Sequence, residues 1–212
     1  MFTHTPLRLT TLALLAIGSL AYAFAAGFFG LEILAEIAIL AILVIALDLV
    51  AGFGGMVSLC HGALLGVGAY AFTVAANDAG LTALPAMALA VALSTVLAFA
   101  IGAVCARSTG IYFIMATLAF GQMAYSFVFQ SPLFGGDDGL SGAPRPDLTA
   151  LGIDLTDSRA FAVYAILLVA LAYRVAAATL RSGLGRCLVG LHHNEKRLRA
   201  LGLTVWRAKA TA

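Results

Sequence analysis

Residues 107–146 read RSTGIYFIMATLAFGQMAYSFVFQSPLFGGDDGLSGAPRP, an uncharged run that ends abruptly in an acidic, glycine-rich loop. From Ser108 to Gly136 there is no Asp, Glu, Lys, Arg or His. About 20 apolar residues in a helix are enough to cross bilayer hydrocarbon, so this stretch predicts a membrane passage with a shaped mouth. The rest of the chain repeats the design. Of 212 residues, 62% are hydrophobic and 10% charged, against about 25% charged in an ordinary globular domain. The composition therefore implies an all-α, multi-span integral membrane protein. A net charge of +2, with basic residues that are not interleaved with aromatics, gives no footprint for nucleic acid.

Apolar windows near 9–28, 32–50, 56–76, 84–105, 110–131 and 159–180 predict about six transmembrane helices. Arg8 precedes an uncharged run from Leu9 to Leu31, which is long for the apolar core of a signal peptide and reads as a first span. An even count puts both ends on one side. After the sixth window come Arg181, Arg186, Lys196, Arg197, Arg199, Arg207 and Lys209, and Arg107 separates the fourth and fifth. The excess of basic residues assigns these segments, and hence both ends, to the cytoplasm. The loop from Pro132 to Ser158 carries Asp137, Asp138, Asp147, Asp154 and Asp157 with only Arg145 against them, and is expected outside. Residues 1–180 read as the transmembrane domain and 181–212 as a cytoplasmic segment.

The approach to window three and its first half are crowded with Gly52, Gly54, Gly55, Gly62, Gly66 and Gly68, which costs helix stability unless backbones approach closely or the helix is broken. Gly62 and Gly66 form a GxxxG pair. Either the segment packs tightly against another helix, or it is interrupted and offers backbone groups to a pathway. Ser58 and His61 lie in the same window, where they would line that pathway or hydrogen-bond between helices. Glu32 and Glu36 share a helix face and are expected to face the bundle. At the outer end of window five, Gly135-Gly136 permits a sharp turn, leaving Asp137 and Asp138 to meet an external partner or substrate amine, or simply to be solvated.

Several chemistries find no support. The only lysines are Lys196 and Lys209; neither follows a glycine, so the chain has no P-loop through which to hold ATP. Cys60, Cys105 and Cys187 have no zinc, redox or disulfide spacing and read as small buried hydrophobes. Gly139-Leu140-Ser141-Gly142 has the form found around some protease serines, but a polar external loop with no histidine in reach makes it a turn. The segment Gly185 to Trp206, GRCLVGLHHNEKRLRALGLTVW, places Leu191, Leu198, Leu201 and Val205 at helix-like spacing against a polar side of Lys196, Arg197 and Arg199. Such a basic amphipathic element lies on anionic lipid or docks in a partner's groove.

Three stretches, GFGGMVSLCHGALLGVGAY, STGIYFIMATLAFGQMAYSFVF with FGGDDGLSGAPRP, and SGLGRCLVGLHHNEKRLRALGLTVWRAK, resemble in order the LivM-type permease subunits of ABC importers for branched-chain amino acids. The resemblance implies a bacterial inner-membrane permease that pairs with a second, LivH-like permease, two cytoplasmic ABC ATPases and an extracytoplasmic substrate-binding protein. No cofactor is expected on this chain, and ATP and magnesium are expected on the ATPases. The resemblance also implies that Gly185, Arg186, Asn194, Glu195, Ala200 and Gly202 belong to the coupling helix that fits an ATPase groove. Family members commonly show Arg-Glu-Asn-Glu where this chain has His192-His193-Asn194-Glu195, and a glycine where Cys60 stands. The family normally continues into further helices beyond Trp206-Arg207, so a truncated chain with an incomplete transmembrane domain is expected.

Overall fold

A computed structural model describes residues 6–131, 134–136, 139–140, 145–146, 155–202 and 205–210, without the side chains of residues 6–9, 12, 196, 199 and 207. The described residues form helices and no strand. In chain order these are α1 (Pro6–Ala25), α2 (Phe28–Asp48), a π-helical turn (Leu49–Phe53), α3 (His61–Asn77), α4 (Ala83–Cys105), α5 (Ile111–Gln130), α6 (Ser158–Arg181), α7 (Gly183–His193), α8 (Glu195–Ala200) and α9 (Val205–Ala210). Long apolar runs make the helices, because in lipid every backbone N–H and C=O must be satisfied within its own segment. Pro85 falls in the first turn of α4, where its missing N–H would have had no partner.

Four helical stretches are long and apolar enough to cross a bilayer: Phe28–Phe53, Ala83–Cys105, Ile111–Gln130 and Ser158–Arg181. The sequence predicts six windows, and each contains a helix. Helix α1 has 20 residues, whereas α3 has only 17, about 25 Å of rise. In window three the loss has a clear cause. The glycines at 52, 54 and 55 lie in the π turn and in a non-helical segment, so the helix does not begin until His61.

The chain forms two compact units. In the first, within 1–42 and 147–174, Ala23 of α1 and Leu31 of α2 pack with Ala162 of α6, and Ala35 and Ala38 pack with Ala165. Ser158 Oγ lies 3.0 Å from Glu32 Oε1 as donor, so Glu32 meets a neighbouring helix as expected. Glu36 is exposed, contrary to the expectation that both carboxylates face the bundle.

The second unit, within 43–146 and 175–212, contains α3 packed along α4 and against α5. Its core joins Val50 and Met56 to Ile101, Cys105 and Phe113, and to Leu188, Leu191, Leu198 and Val205 from the basic segment. Residues 54–60 cross this core as a non-helical segment between two residues of αR conformation, Gly54 and Cys60, with Gly54, Met56, Ser58 and Cys60 buried and Gly55, Val57 and Leu59 exposed. That alternation is not the period of an α-helix. The backbone is held from outside the segment and across it: Met56 N–H donates to the Val50 carbonyl at 3.1 Å, and Leu59 N–H donates to Thr117 Oγ1 at 3.2 Å.

Gly55 makes this path possible. Its φ is +66° and a Cβ there would stand 2.5 Å from His192 Nδ1 of α7. Gly55→Ala is expected to lower stability by at least about 1–2 kcal/mol, the cost of a left-handed non-glycine residue. Thermal unfolding in detergent checks this, and an unchanged midpoint would contradict the packing of the non-helical segment on α7.

Candidate functional site

The GxxxG pair does not pack. A Cβ on Gly62 or on Gly66 would meet nothing within 4 Å. Both glycines instead line an open groove of about 420 Å³ between α3 and α5, whose walls include Leu59, Tyr70, Gly121, Gln122 and Tyr125. Of the two readings of these glycines, close helix contact is therefore absent among the described residues. A small-residue wall keeps the groove wide. Gly68, by contrast, faces α4, where a Cβ would come to 3.0 Å from Ser94 Oγ.

On the other side of the non-helical segment is a second hollow of about 430 Å³, lined by Ser58, Cys60, His61, Cys105, Thr117 and Lys209 among others. Ser58 is buried, with Oγ 3.2 Å from Cys60 Sγ. His61 opens α3 and is half-buried. Cys60 and Cys105 are both buried with free thiols, in keeping with small hydrophobes filling a core. Among the described residues no three His, Cys, Asp or Glu side chains gather as a metal site. Thus Ser58 and His61 share one cavity, whereas Gly62 and Gly66 belong to the other.

The turn after α5 reaches one end of the groove. Gly136 lines it, and Phe134 packs edge-on against Tyr70 with ring centroids 5.7 Å apart. Gly135 has φ +76°, and a Cβ there would run into the Gly139 carbonyl oxygen, so the loop doubles back on itself. Asp137 and Asp138, the acidic candidates, lie outside the described residues.

The basic segment is three helices rather than one. Leu191, Leu198 and Val205 do reach one core, as their sevenfold spacing suggests, but through breaks at Asn194 and Gly202. Leu201, expected with them, is 78% exposed. Asn194 leaves the helical conformation (φ −165°, ψ 100°), and its Oδ1 accepts from the Arg197 N–H at 3.1 Å, capping α8. Gly202, at φ +77°, follows the end of α8. Gly185 is buried so close to the Leu180 backbone that a side chain would collide with it. This sets the elbow between α6 and α7. Arg186, His193, Asn194, Arg197, Ala200 and Leu201 are exposed, which gives the segment a polar, basic outer face with one large apolar side chain.

Glu195 turns inward instead. Its Oε2 is 3.1 Å from Lys209 Nζ, and this ammonium also donates to the Ser108 carbonyl at 3.3 Å. The basic segment therefore sits at the same end of α4 and α5 as Arg107. Three residues central to this arrangement, Thr117, Trp206 and Lys209, are absent from the sequence-derived candidates. For Lys209 a signal exists: it stands three residues after Trp206, on the same helical face, among alanines.

Residues 29–212 match the family model described as the permease component of the branched-chain amino acid transport system. No curated protein and no solved structure matches the chain.

Gly62→Ala and Gly66→Ala are expected to keep or raise thermal stability, since each adds helix propensity of about 0.5–1 kcal/mol without meeting a neighbour. Unfolding midpoints of the two variants check this. A loss in either would mean that the pair packs against another helix after all.

Proposed function

This chain belongs to the permease component family of branched-chain amino acid transport systems, and from that premise we propose that it carries leucine, isoleucine and valine inward as one half of an ABC importer's membrane pore. Its partners in this reading are a second, LivH-like permease, two cytoplasmic ATPases that bind ATP and magnesium, an extracytoplasmic binding protein and the surrounding lipid. The family is a membrane transport component, and the proposed role of this chain is transport driven by ATP hydrolysis elsewhere.

The family match over residues 29–212 carries the proposal. Two features support its details. The groove between α3 and α5 has small-residue walls and a few uncharged polar groups, Gln122, Tyr70 and Tyr125. Such a lining suits a cargo whose side chain is apolar and whose polar ends need only a few hydrogen bonds. The outer face of α7 and α8 exposes Arg186, Asn194, Arg197 and Leu201, a polar rim about one apolar anchor of the kind that fits a protein groove. In the proposed cycle, the ATPases close, push α7 and α8, and the helices around the groove exchange inward and outward access.

Uptake into vesicles carrying the assembled importer tests the cargo. Leucine should accumulate when ATP and the binding protein are both supplied; accumulation of urea or a short amide in its place would reassign the cargo within the same importer class. Leu201→Asp tests the ATPase contact. Burying a charge at an interface anchor should weaken ATPase co-purification at least about tenfold, while the unfolding midpoint stays put because Leu201 touches little of its own chain. Undiminished co-purification would remove this face from the interface.

A further inference from the structure

Lys209 is 7% exposed, and its ammonium joins three elements. It belongs to α9, pairs with Glu195 in the first turn of α8 at 3.1 Å, and donates to the Ser108 carbonyl in the α4–α5 turn at 3.3 Å. That turn is itself tied down: the Ser108 N–H and Oγ both donate to the Cys105 carbonyl, at 2.9 and 2.7 Å. Helix α9 is fixed on α4, because Trp206 Nε1 donates to the Ala103 carbonyl at 3.1 Å and the Ala210 backbone lies over Gly102.

Apolar contacts between this segment and the spans are made by Leu188, Leu191, Leu198 and Val205. Apolar contact has no direction and lets surfaces slide. An ammonium with donors aimed at a carboxylate and a carbonyl fixes register as well as proximity. A well-packed apolar residue would occupy the same place without the cost of desolvating two charges. The pair thus supplies something that packing alone does not.

We propose that Lys209 is the positioning residue that transmits movement of α7 and α8 into α4 and α5. The proposal rests on the reading of α7 and α8 as the ATPase contact. A push on the outer face of α8 displaces Glu195; the ion pair carries that displacement to Lys209, and through Ser108 and Trp206 to the ends of both spans.

The test uses the importer assembled in liposomes from this chain and its partners, with ATP hydrolysis, uptake and unfolding midpoint measured on each variant. Lys209→Met and Glu195→Gln should each lower uptake per ATP hydrolysed, by about tenfold, within the usual range of coupling between sites. Lys209→Arg should retain most of it. The double variant Lys209→Met with Glu195→Gln is decisive, because it leaves no buried charge unpaired and should regain stability. Uptake per ATP that stays low in this stable double variant would support transmission through the pair. Uptake per ATP that recovers with stability, or single variants with a normal ratio, would overturn it. A wild-type assembly that binds no ATPase would overturn the functional reading and this proposal together, whereas a coupled wild type with coupled variants would overturn this proposal alone.

Discussion

The second unit depends on satisfying backbone polar groups where the chain is not helical. In a chain this apolar, an unpaired N–H or C=O within the hydrocarbon costs several kcal/mol. Residues 54–60 give up helical hydrogen bonds and survive by borrowing partners: the Val50 carbonyl for Met56, and the Thr117 hydroxyl for Leu59. Thr117 also donates its own hydroxyl to the Ile114 carbonyl at 2.9 Å, so one side chain serves two backbones. Met56, Ser58 and Cys60 are buried, while Val57 and Leu59 alternate with them on the exposed side. Leu59 stands in the wall of the groove while Met56, Ser58 and Cys60 stand in that of the second hollow, so this segment contributes to both.

The two hollows separate residues that sequence proximity had placed together. Ser58, His61, Gly62 and Gly66 fall within nine positions, yet the passage from a non-helical segment into α3 sends the first pair to one hollow and the second to the other. Residues of the basic segment diverge in the same way. Asn194 and Gly202 shape the backbone, Glu195 turns to the core, and Arg186, Ala200 and Leu201 remain outside. A motif of neighbouring residues is thus distributed over three physical tasks: bending the chain, anchoring it, and presenting a surface.

The all-helical architecture was legible in the sequence because hydrophobic length is a one-dimensional property; each of the six windows contains a helix. The end of the basic segment at the α4–α5 turn was legible in part, since Arg107 and the terminal cations share a sign. What composition could not reveal was where a glycine-rich stretch leaves helical geometry. Gly52, Gly54 and Gly55 lie outside α-helix while Gly62, Gly66 and Gly68 lie within α3, and the non-helical part is met by Thr117 and His192, which are far away in sequence. The single-helix spacing of Leu191, Leu198, Leu201 and Val205 misplaced Leu201, because a period of seven survives a helix break for some residues and not for others. Lys209 read only as one of the terminal cations for a related reason: its partners lie 14 and 101 positions away.

The contacts of the first unit rest largely on alanine. Ala23, Ala35, Ala38, Ala162 and Ala165, together with Leu31, are the buried members of its two apolar clusters among the described residues. In water such methyl groups would be driven together by solvent, but in a bilayer the lipid tails are as apolar as they are, and only close van der Waals approach favours helix over lipid. Dispersion falls away within an ångström of separation. One added methylene along this seam therefore does not cost one contact; it props the helices apart and releases the whole line at once. Such a seam fails like a zipper, and tolerates chemical variety at its outward faces but almost none along its length.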